Sequence, residues 1–352
     1  MSSGVSLQQV HILFDHSNPF LLAHGGLQIQ IEQTRAALLE AGAHVDYLRW
    51  WDPGQTADLI HFFGRPHPSY IDQAHEKGLP VIFSELLGGT GSRSAPALAA
   101  QRIFIRIARG FLPDTLTARM AWTSYAKADA VVALTAWEQE LMTDLFSAPD
   151  GRVHVVPNGV EPVFFEEPHP PTPRAGHLIC TATITERKRV LELAEAAVLA
   201  GVPVRFYGKP YSSEHPYFRR FEERVCSSEG LLEYGGGIPD RLQLAREYRG
   251  AAGFVLLSAM ESQSLSALEA AACGCPLLLS DLPWARSSFG GHASYAPVVP
   301  PTATAGHLRR FYDTLSGCPR PPAVLSWRAV AGRLLAIYSE AVTARRAGGG
   351  VS

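Results

Sequence analysis

The chain has 352 residues, of which 46% are hydrophobic and 18% charged, and a formal net charge of −2. That length allows two domains of ordinary size. The mean hydropathy of +0.02 is that of a globular protein, and the charge excludes a general attraction to nucleic acid or anionic lipid, so any basic patch must be local.

The chain opens with "MSSGVSLQQV", which lacks the charged and apolar regions of a signal peptide. No later run reaches the roughly 18 apolar residues needed to span a bilayer, and a cytoplasmic protein is expected. The first buried strand is read at "VHILF" (10–14), followed by a helix over 25–42 that Gly42 closes. Further strands are expected at 44–48, 58–63, 80–84, 128–134 and 152–156, with helices at about 69–77, 96–110, 113–127 and 135–146. Apolar strands alternating with helices predict βαβ units and a parallel sheet covered on both faces.

The Pro-rich stretch "EEPHPPTPRAG" (166–176) has the composition of an inter-domain linker. The alternation then resumes, with strands at 177–183, 203–208, 230–234, 253–258 and 276–280 and helices including 191–201 and 241–251. A last helix at 326–346 carries Val330, Leu334, Leu335 and Tyr338 as one apolar stripe. The fold expected is therefore α/β, with two Rossmann-like, doubly wound parallel-sheet domains. Their limits are 1–165 and 177–325. Open parallel sheets bind ligands beyond the carboxyl ends of their strands, so two such domains can face one another across a cleft and serve a two-substrate reaction.

Three places carry candidate chemistry. Gly25 and Gly26 follow the first strand and open the first helix, where backbone can approach a ligand and free amides can meet an anion; a plain turn is the competing reading. Arg187, Lys188 and Arg189 follow the first strand of the second half, where three cations suit a phosphate or form a solvated cluster. The third is "ESQSLSALEAAACGCP", with Glu261 in a loop and Glu269 eight positions on, inside a helix. At ~1.5 Å per residue they would stand ~12 Å apart if the helix ran throughout. An acid and base sharing one bond want ~5–10 Å. The spacing suits two carboxylates gripping the polyhydroxy ends of one extended ligand, with a helix N-terminus between them for its phosphates. A nucleotide sugar has that shape. Cys273 and Cys275 form C-x-C without a second pair or a histidine cluster; they read as small packing residues, and the five cysteines suggest no disulfide framework.

Over nearly its whole length the chain resembles the GT-B retaining glycosyltransferases of the family 4 (group 1) type. The resemblance rests on "HGGLQIQIEQTRAALLEAG", "ADAVVALTAWEQELM", "VHVVPNGVEPVFF", "ERKRVLELAEAA" and "ESQSLSALEAAACGCPLLLSD". It implies that Glu269 holds ribose hydroxyls, Glu261 holds donor-sugar hydroxyls and Lys188, with Arg187, neutralises the leaving diphosphate. It further implies backbone donors around Ser264, Leu265, Ser266, Gly25 and Gly26, a base pocket at Gly237 and Ile238, and a glycine turn at Gly208 nearby. The last helix would cross back to the first domain. No cofactor or metal is implied; the donor is a UDP- or GDP-linked hexose, and the acceptor a carbohydrate or lipid-linked molecule. The expected function is hexosyl transfer in glycan, polysaccharide or glycolipid biosynthesis. Two departures favour the alternative, a catalytically idle nucleotide-sugar-binding homologue or partner subunit: Ala182 and Thr183 stand where the family has an arginine, and Glu85 or Leu86 stands where many members have a histidine. His16, His24, His61 and His67 are candidates for the cleft lining. On the acceptor side, residues 95–120 combine Arg102, Arg106 and Arg109 with Ile103, Phe104, Ile105, Ile107 and Phe111. This reads as an ordinary helix with its arginines in solvent, or as a weak peripheral contact with a membrane.

Overall fold

The computed structural model describes residues 10–17, 20, 25–113, 117–166 and 174–348. The apolar runs become two parallel sheets, each in its own compact unit, one of residues 1–159 with 325–352 and the other of residues 160–324. In the first unit the strands are β1 (His11–His16), β2 (His44–Tyr47), β3 (Leu59–Phe63), β4 (Val81–Ser84), β5 (Ala130–Ala133) and β6 (Val153–Val155), in the order β2-β1-β3-β4-β5-β6. In the second they are β7 (Leu178–Thr181), β8 (Val204–Tyr207), β9 (Leu232–Tyr234), β10 (Gly253–Leu256), β11 (Leu277–Ser280) and β12 (Ser294–Ala296), in the order β12-β11-β10-β7-β8-β9. The strand order reverses between β1 and β3 in one sheet and between β7 and β10 in the other, where Gly253 pairs with Leu178 and Phe254 with Ile179.

The longer helices are α1 (Gly26–Glu40), α2 (Pro68–Glu76), α3 (Ala95–Phe111), α4 (Ala136–Phe146), α5 (Val190–Ala200), α6 (Pro216–Cys226), α7 (Arg241–Gly250), α8 (Leu265–Ala272), α9 (Pro301–Asp313) and α10 (Trp327–Gly348). The cores explain the division. Val160 and Phe164 bury with β7, β8 and β10, so the boundary falls at 159/160 and not beyond 165. Most of the expected linker, 167–173, lies outside the described residues, as does His24. The helix expected over 113–127 is broken within its described part: Ala121 takes a left-handed conformation (φ 50°) between a 3-10 turn, Ala118–Met120, and a short helix, Ser124–Lys127.

Helix α10 belongs to the first unit and buries the expected stripe of Val330, Leu334, Leu335 and Tyr338. Its start lies against the "PNGV" segment: a β-carbon on Gly159 would come 2.5 Å from the backbone nitrogen of Trp327. Only glycine leaves room for that approach. Deeper in the same unit His61 is fully buried, with Nδ1 2.5 Å from the Tyr338 hydroxyl and Nε2 2.7 Å from Ser84 Oγ. His61 is thus a core residue that ties α10 to the sheet, and not part of a cleft lining. His67 likewise serves the fold, accepting from the Ser69 amide as the N-cap of α2. No described helix is long and apolar enough to cross a membrane.

Candidate active site

The second unit gathers most of the expected site residues at the carboxyl ends of its strands. After β7 the chain forms a 3-10 turn, Glu186–Lys188; after β10 it forms the 257–264 loop that leads into α8. These two loops flank the reversal in strand order, which is where open α/β sheets place ligands. They are tied together by backbone as well as side chains. The Ala259 amide donates to the Arg187 carbonyl (2.9 Å), the Ser258 hydroxyl donates to the same carbonyl (3.2 Å), and the Arg187 guanidinium donates to the Met260 carbonyl (2.6 Å).

Within this frame Lys188 Nζ donates to Glu261 Oε1 at 2.5 Å, and Arg187 Nη1 lies 3.4 Å from Glu261 Oε2. Both members of the Lys188–Glu261 pair are largely withdrawn from water. A buried pair of this kind contributes little net stability, because desolvation offsets the attraction. What it provides is a cation and a carboxylate fixed in one geometry at the sheet edge. The basic triplet divides by role: Lys188 and Arg187 meet Glu261, while Arg189, in a left-handed conformation, reaches the Val299 carbonyl at 2.7 Å.

Glu261 is a loop residue, since α8 begins only at Leu265. Ser264 caps that helix through its hydroxyl, which accepts from the Ala267 amide at 3.3 Å and lies 3.1 Å from Ser266 Oγ. Glu269, one turn further along, faces a second cluster. Its Oε1 pairs with Arg241 Nη2, and its Oε2 accepts from the Tyr248 hydroxyl at 3.1 Å. Thr181, the last residue of β7, stands 2.5 Å from that hydroxyl. Burial raises the Glu269 carboxyl above the usual carboxylate range, with Arg241 pulling the other way. Arg241 also donates to Glu161 at 2.5 Å and lies over the Phe164 ring, 4.7 Å from its centroid.

Arg241 is the site residue that sequence reasoning missed. Its partners are 80 and 28 positions away in the chain, so no local spacing marks it. The one available signal is its place directly after the "GGGIPD" loop.

The remaining expected residues follow β8 and β9. Gly208 has φ +147°, and a β-carbon there would stand 1.8 Å from the Ala182 carbonyl oxygen. Its amide donates to the Gly236 carbonyl (2.8 Å), and its own carbonyl accepts from the Tyr234 hydroxyl (2.8 Å). It therefore locks the β7, β8 and β9 loops together. Replacing Gly208 with alanine is expected to cost about 2–4 kcal/mol, through backbone strain and a clash with main chain that cannot yield. A lowered midpoint in thermal unfolding, with retained midpoints in a Gly291→Ala control, checks this. Gly237 and Ile238 are half-buried, Gly237 under the Lys209 stem and Ile238 against the core. Gly25 and Gly26 lie on the first unit, exposed at the start of α1.

The two departures also have places. Ala182 and Thr183 sit in the turn after β7, where the Ala182 amide donates to the Tyr207 carbonyl at 2.9 Å. Glu85, following β4, accepts from Arg65 Nε at 2.8 Å and from the Tyr125 hydroxyl. Cys273 and Cys275 are buried and uncombined at the end of α8; their thiols face the Phe164 and Tyr248 carbonyls, and burial pushes them up to about 12 and about 11.

Residues 32–159, wholly within the first unit, match the family described as "Glycosyl transferase 4-like domain". A comparison with curated protein sequences finds no match. Among solved structures the chain is similar to a sucrose-phosphate synthase from Thermosynechococcus elongatus (17% identity, TM-score 0.65, covering 96% of this chain and 100% of that one). It is also similar to AviGT4, a glycosyltransferase involved in avilamycin A biosynthesis (14%, 0.61, 95% and 98%). A third is Anabaena HepE in complex with UDP and glucose (12%, 0.58, 96% and 96%). The chain has the GT-B fold, and residues 32–159 of its first unit match the glycosyl transferase 4-like domain.

Proposed function

We propose that this protein transfers a hexosyl group from a nucleoside-diphosphate sugar, UDP- or GDP-linked, to an acceptor hydroxyl, with retention at the anomeric carbon and without a metal. The observation that carries the reading is the contact between Lys188 and Glu261 at the strand-order reversal of the second unit, with Glu269 in the helix that directly follows. The similar HepE structure holds UDP and glucose, which supports a nucleotide-sugar donor here.

In this scheme the bond between the anomeric carbon and the diphosphate oxygen breaks as the acceptor oxygen bonds to the same carbon. The acceptor's proton passes to the leaving phosphate oxygen. Negative charge grows on the diphosphate, and the fixed Lys188 ammonium, the Arg187 guanidinium and the open amides of Leu265 and Ser266 at the α8 N-terminus meet it. Glu261 keeps Lys188 in place and offers its other oxygen to donor-sugar hydroxyls. Glu269, oriented by Tyr248 and Arg241, accepts from the ribose hydroxyls, while backbone at Gly208, Gly237 and Ile238 borders the base. The acceptor is a carbohydrate or a lipid-linked molecule, and the pathway one of glycan, polysaccharide or glycolipid synthesis.

The second reading, an idle nucleotide-sugar-binding homologue, draws on Ala182 and Thr183 and on Glu85, whose carboxylate is occupied by Arg65 and Tyr125. Incubation with UDP-, GDP- and ADP-hexoses, followed by release of nucleoside diphosphate and by donor titration, separates the two. Turnover with one donor is expected, together with a Glu269→Gln variant whose donor affinity falls at least about tenfold, the loss of one charge-assisted hydrogen bond. Tight binding without release would leave the idle reading; absence of binding to all three donors would defeat both.

A further inference from the structure

Helix α3 presents its two faces in an unexpected way. Leu98, Ile105 and Ala108 bury inward, in the same core cluster as Leu141 and Leu145 of α4, as an amphipathic helix should. The opposite face is also apolar. Ile103, Phe104, Ile107 and Phe111 are 59%, 58%, 55% and 84% exposed, and Leu112 and Met120 are exposed further along the chain. At about 100° per residue, Pro96, Ala100, Ile103, Ile107 and Phe111 fall on one outward stripe. Two of the three helix arginines that sequence reasoning sent into solvent are instead tied back to the body: Arg102 pairs with Asp144, and Arg109 donates to the Phe146 carbonyl and to Ser147 Oγ. Contiguous exposed apolar surface of this kind is rare on a monomer and marks an interaction site.

Charge selects among occupants. Residues 86–113 contain four arginines, Arg93, Arg102, Arg106 and Arg109, and no aspartate or glutamate. Arg106 is exposed on the helix, and Arg93, just before it, is exposed with Nη1 donating to Gln101 Oε1 at 2.7 Å. A second copy packed on this face in a two-fold pair would bring these cations toward their own symmetry mates with no acid on the helix to answer them. An anionic bilayer surface accepts both features at once: the large side chains enter the headgroup boundary and the arginines meet lipid phosphates.

We propose that the outward face of α3, with Ile103, Phe104, Ile107 and Phe111 as its apolar contacts and Arg93 and Arg106 as its cations, docks the first unit on an anionic phospholipid bilayer. The contact is reversible and interfacial, since one helix face with two flanking cations is a modest anchor. On a bilayer the first unit would meet acceptors presented at a lipid surface; that last clause rests on the glycosyl-transfer reading, whereas bilayer binding itself does not.

Co-sedimentation of the full chain with vesicles of phosphatidylcholine alone, and of phosphatidylcholine with phosphatidylglycerol, tests the proposal. Binding to the anionic vesicles is expected, at least several-fold weaker on neutral ones and weakened by added salt. An Ile107→Glu, Phe111→Glu double variant alters only side chains already in water, so its thermal midpoint should match the wild type while its partitioning falls at least tenfold. Lys188→Ala should sediment as the wild type does, which keeps the result separate from the fate of the donor site. Absence of binding to anionic vesicles, or equal binding by the double variant, overturns the proposal. So does a wild-type dimer that the double variant abolishes while vesicles stay empty, which would make a second copy the occupant.

Discussion

Replacing Lys188 with alanine is expected to lower turnover by about 10²–10³, the effect seen when one preorganised stabiliser of transition-state charge is removed. The prediction follows from geometry as much as from charge. Lys188 is held at 2.5 Å from a carboxylate that is itself largely buried, so its ammonium needs no reorganisation when the leaving diphosphate develops charge. Arg187 remains in the variant but stands 3.4 Å from Glu261 and directs a nitrogen to the Met260 carbonyl, so it substitutes poorly. Lys188→Arg should recover part of the loss, because the positive charge survives although its geometry changes. Single-turnover rates at saturating donor read the effect on chemistry directly. A variant that raised only the donor KM, with kcat intact, would place Lys188 in binding alone.

The largest stability effect is expected from pH, through His61. Its ring is enclosed by Phe14, Phe63, Tyr338 and Ser84, and burial pushes its imidazole down to about 3. The folded protein keeps the ring neutral down to that pH, whereas the unfolded chain takes up a proton below about 6.5. Between these values the unfolded state binds more protons, so stability rises with pH. The contribution is complete above about pH 6.5 and is lost as pH falls toward 3, by at most about 5 kcal/mol. Urea unfolding at pH 7.5 and pH 4.5 checks this against a His61→Gln variant, which can still bond Tyr338 and Ser84 but carries no titrating ring. The wild type should lose about 3 kcal/mol more than the variant over that interval. Equal losses would mean that the ring is solvated or already charged in the native state.

The alternation of apolar runs makes most of the fold legible in the amino-acid order itself, because both sheets are parallel and their inner strands, such as β3, β4, β7 and β10, bury on both faces. The exceptions have physical causes. Strand β12 is three residues long, Ser294–Ala296, and carries no apolar run of its own. The break in the helix expected over 113–127 depends on the left-handed backbone at Ala121, which its side chain does not advertise. Assigning 160–165 to the first domain fails because Phe164 fills a hole in the other core, under Tyr248 and Arg241.

The site is legible where its residues are close in sequence and obscure where they are not. The Arg187–Lys188 pair and the Glu261…Glu269 spacing mark the two loops, and the structure joins Lys188 to Glu261 across 73 positions. The Arg241–Glu161–Glu269 cluster joins three separate segments, and no periodicity within any one of them signals it. The surroundings of α3 are legible only in part for a related reason. Hydrophobic periodicity finds a helix with apolar residues on both sides, but that Leu98, Ile105 and Ala108 are the buried ones, and that Arg102 pairs with Asp144, depends on packing against α4.

The most direct measurement is electron density from crystals grown with a UDP- or GDP-hexose. The diphosphate should lie at the carboxyl edge of the second sheet, within hydrogen-bond reach of Lys188 and the α8 N-terminus, with ribose hydroxyls on Glu269 and the sugar beside Glu261. A nucleotide bound anywhere else, leaving both carboxylates with their present partners, would contradict the account.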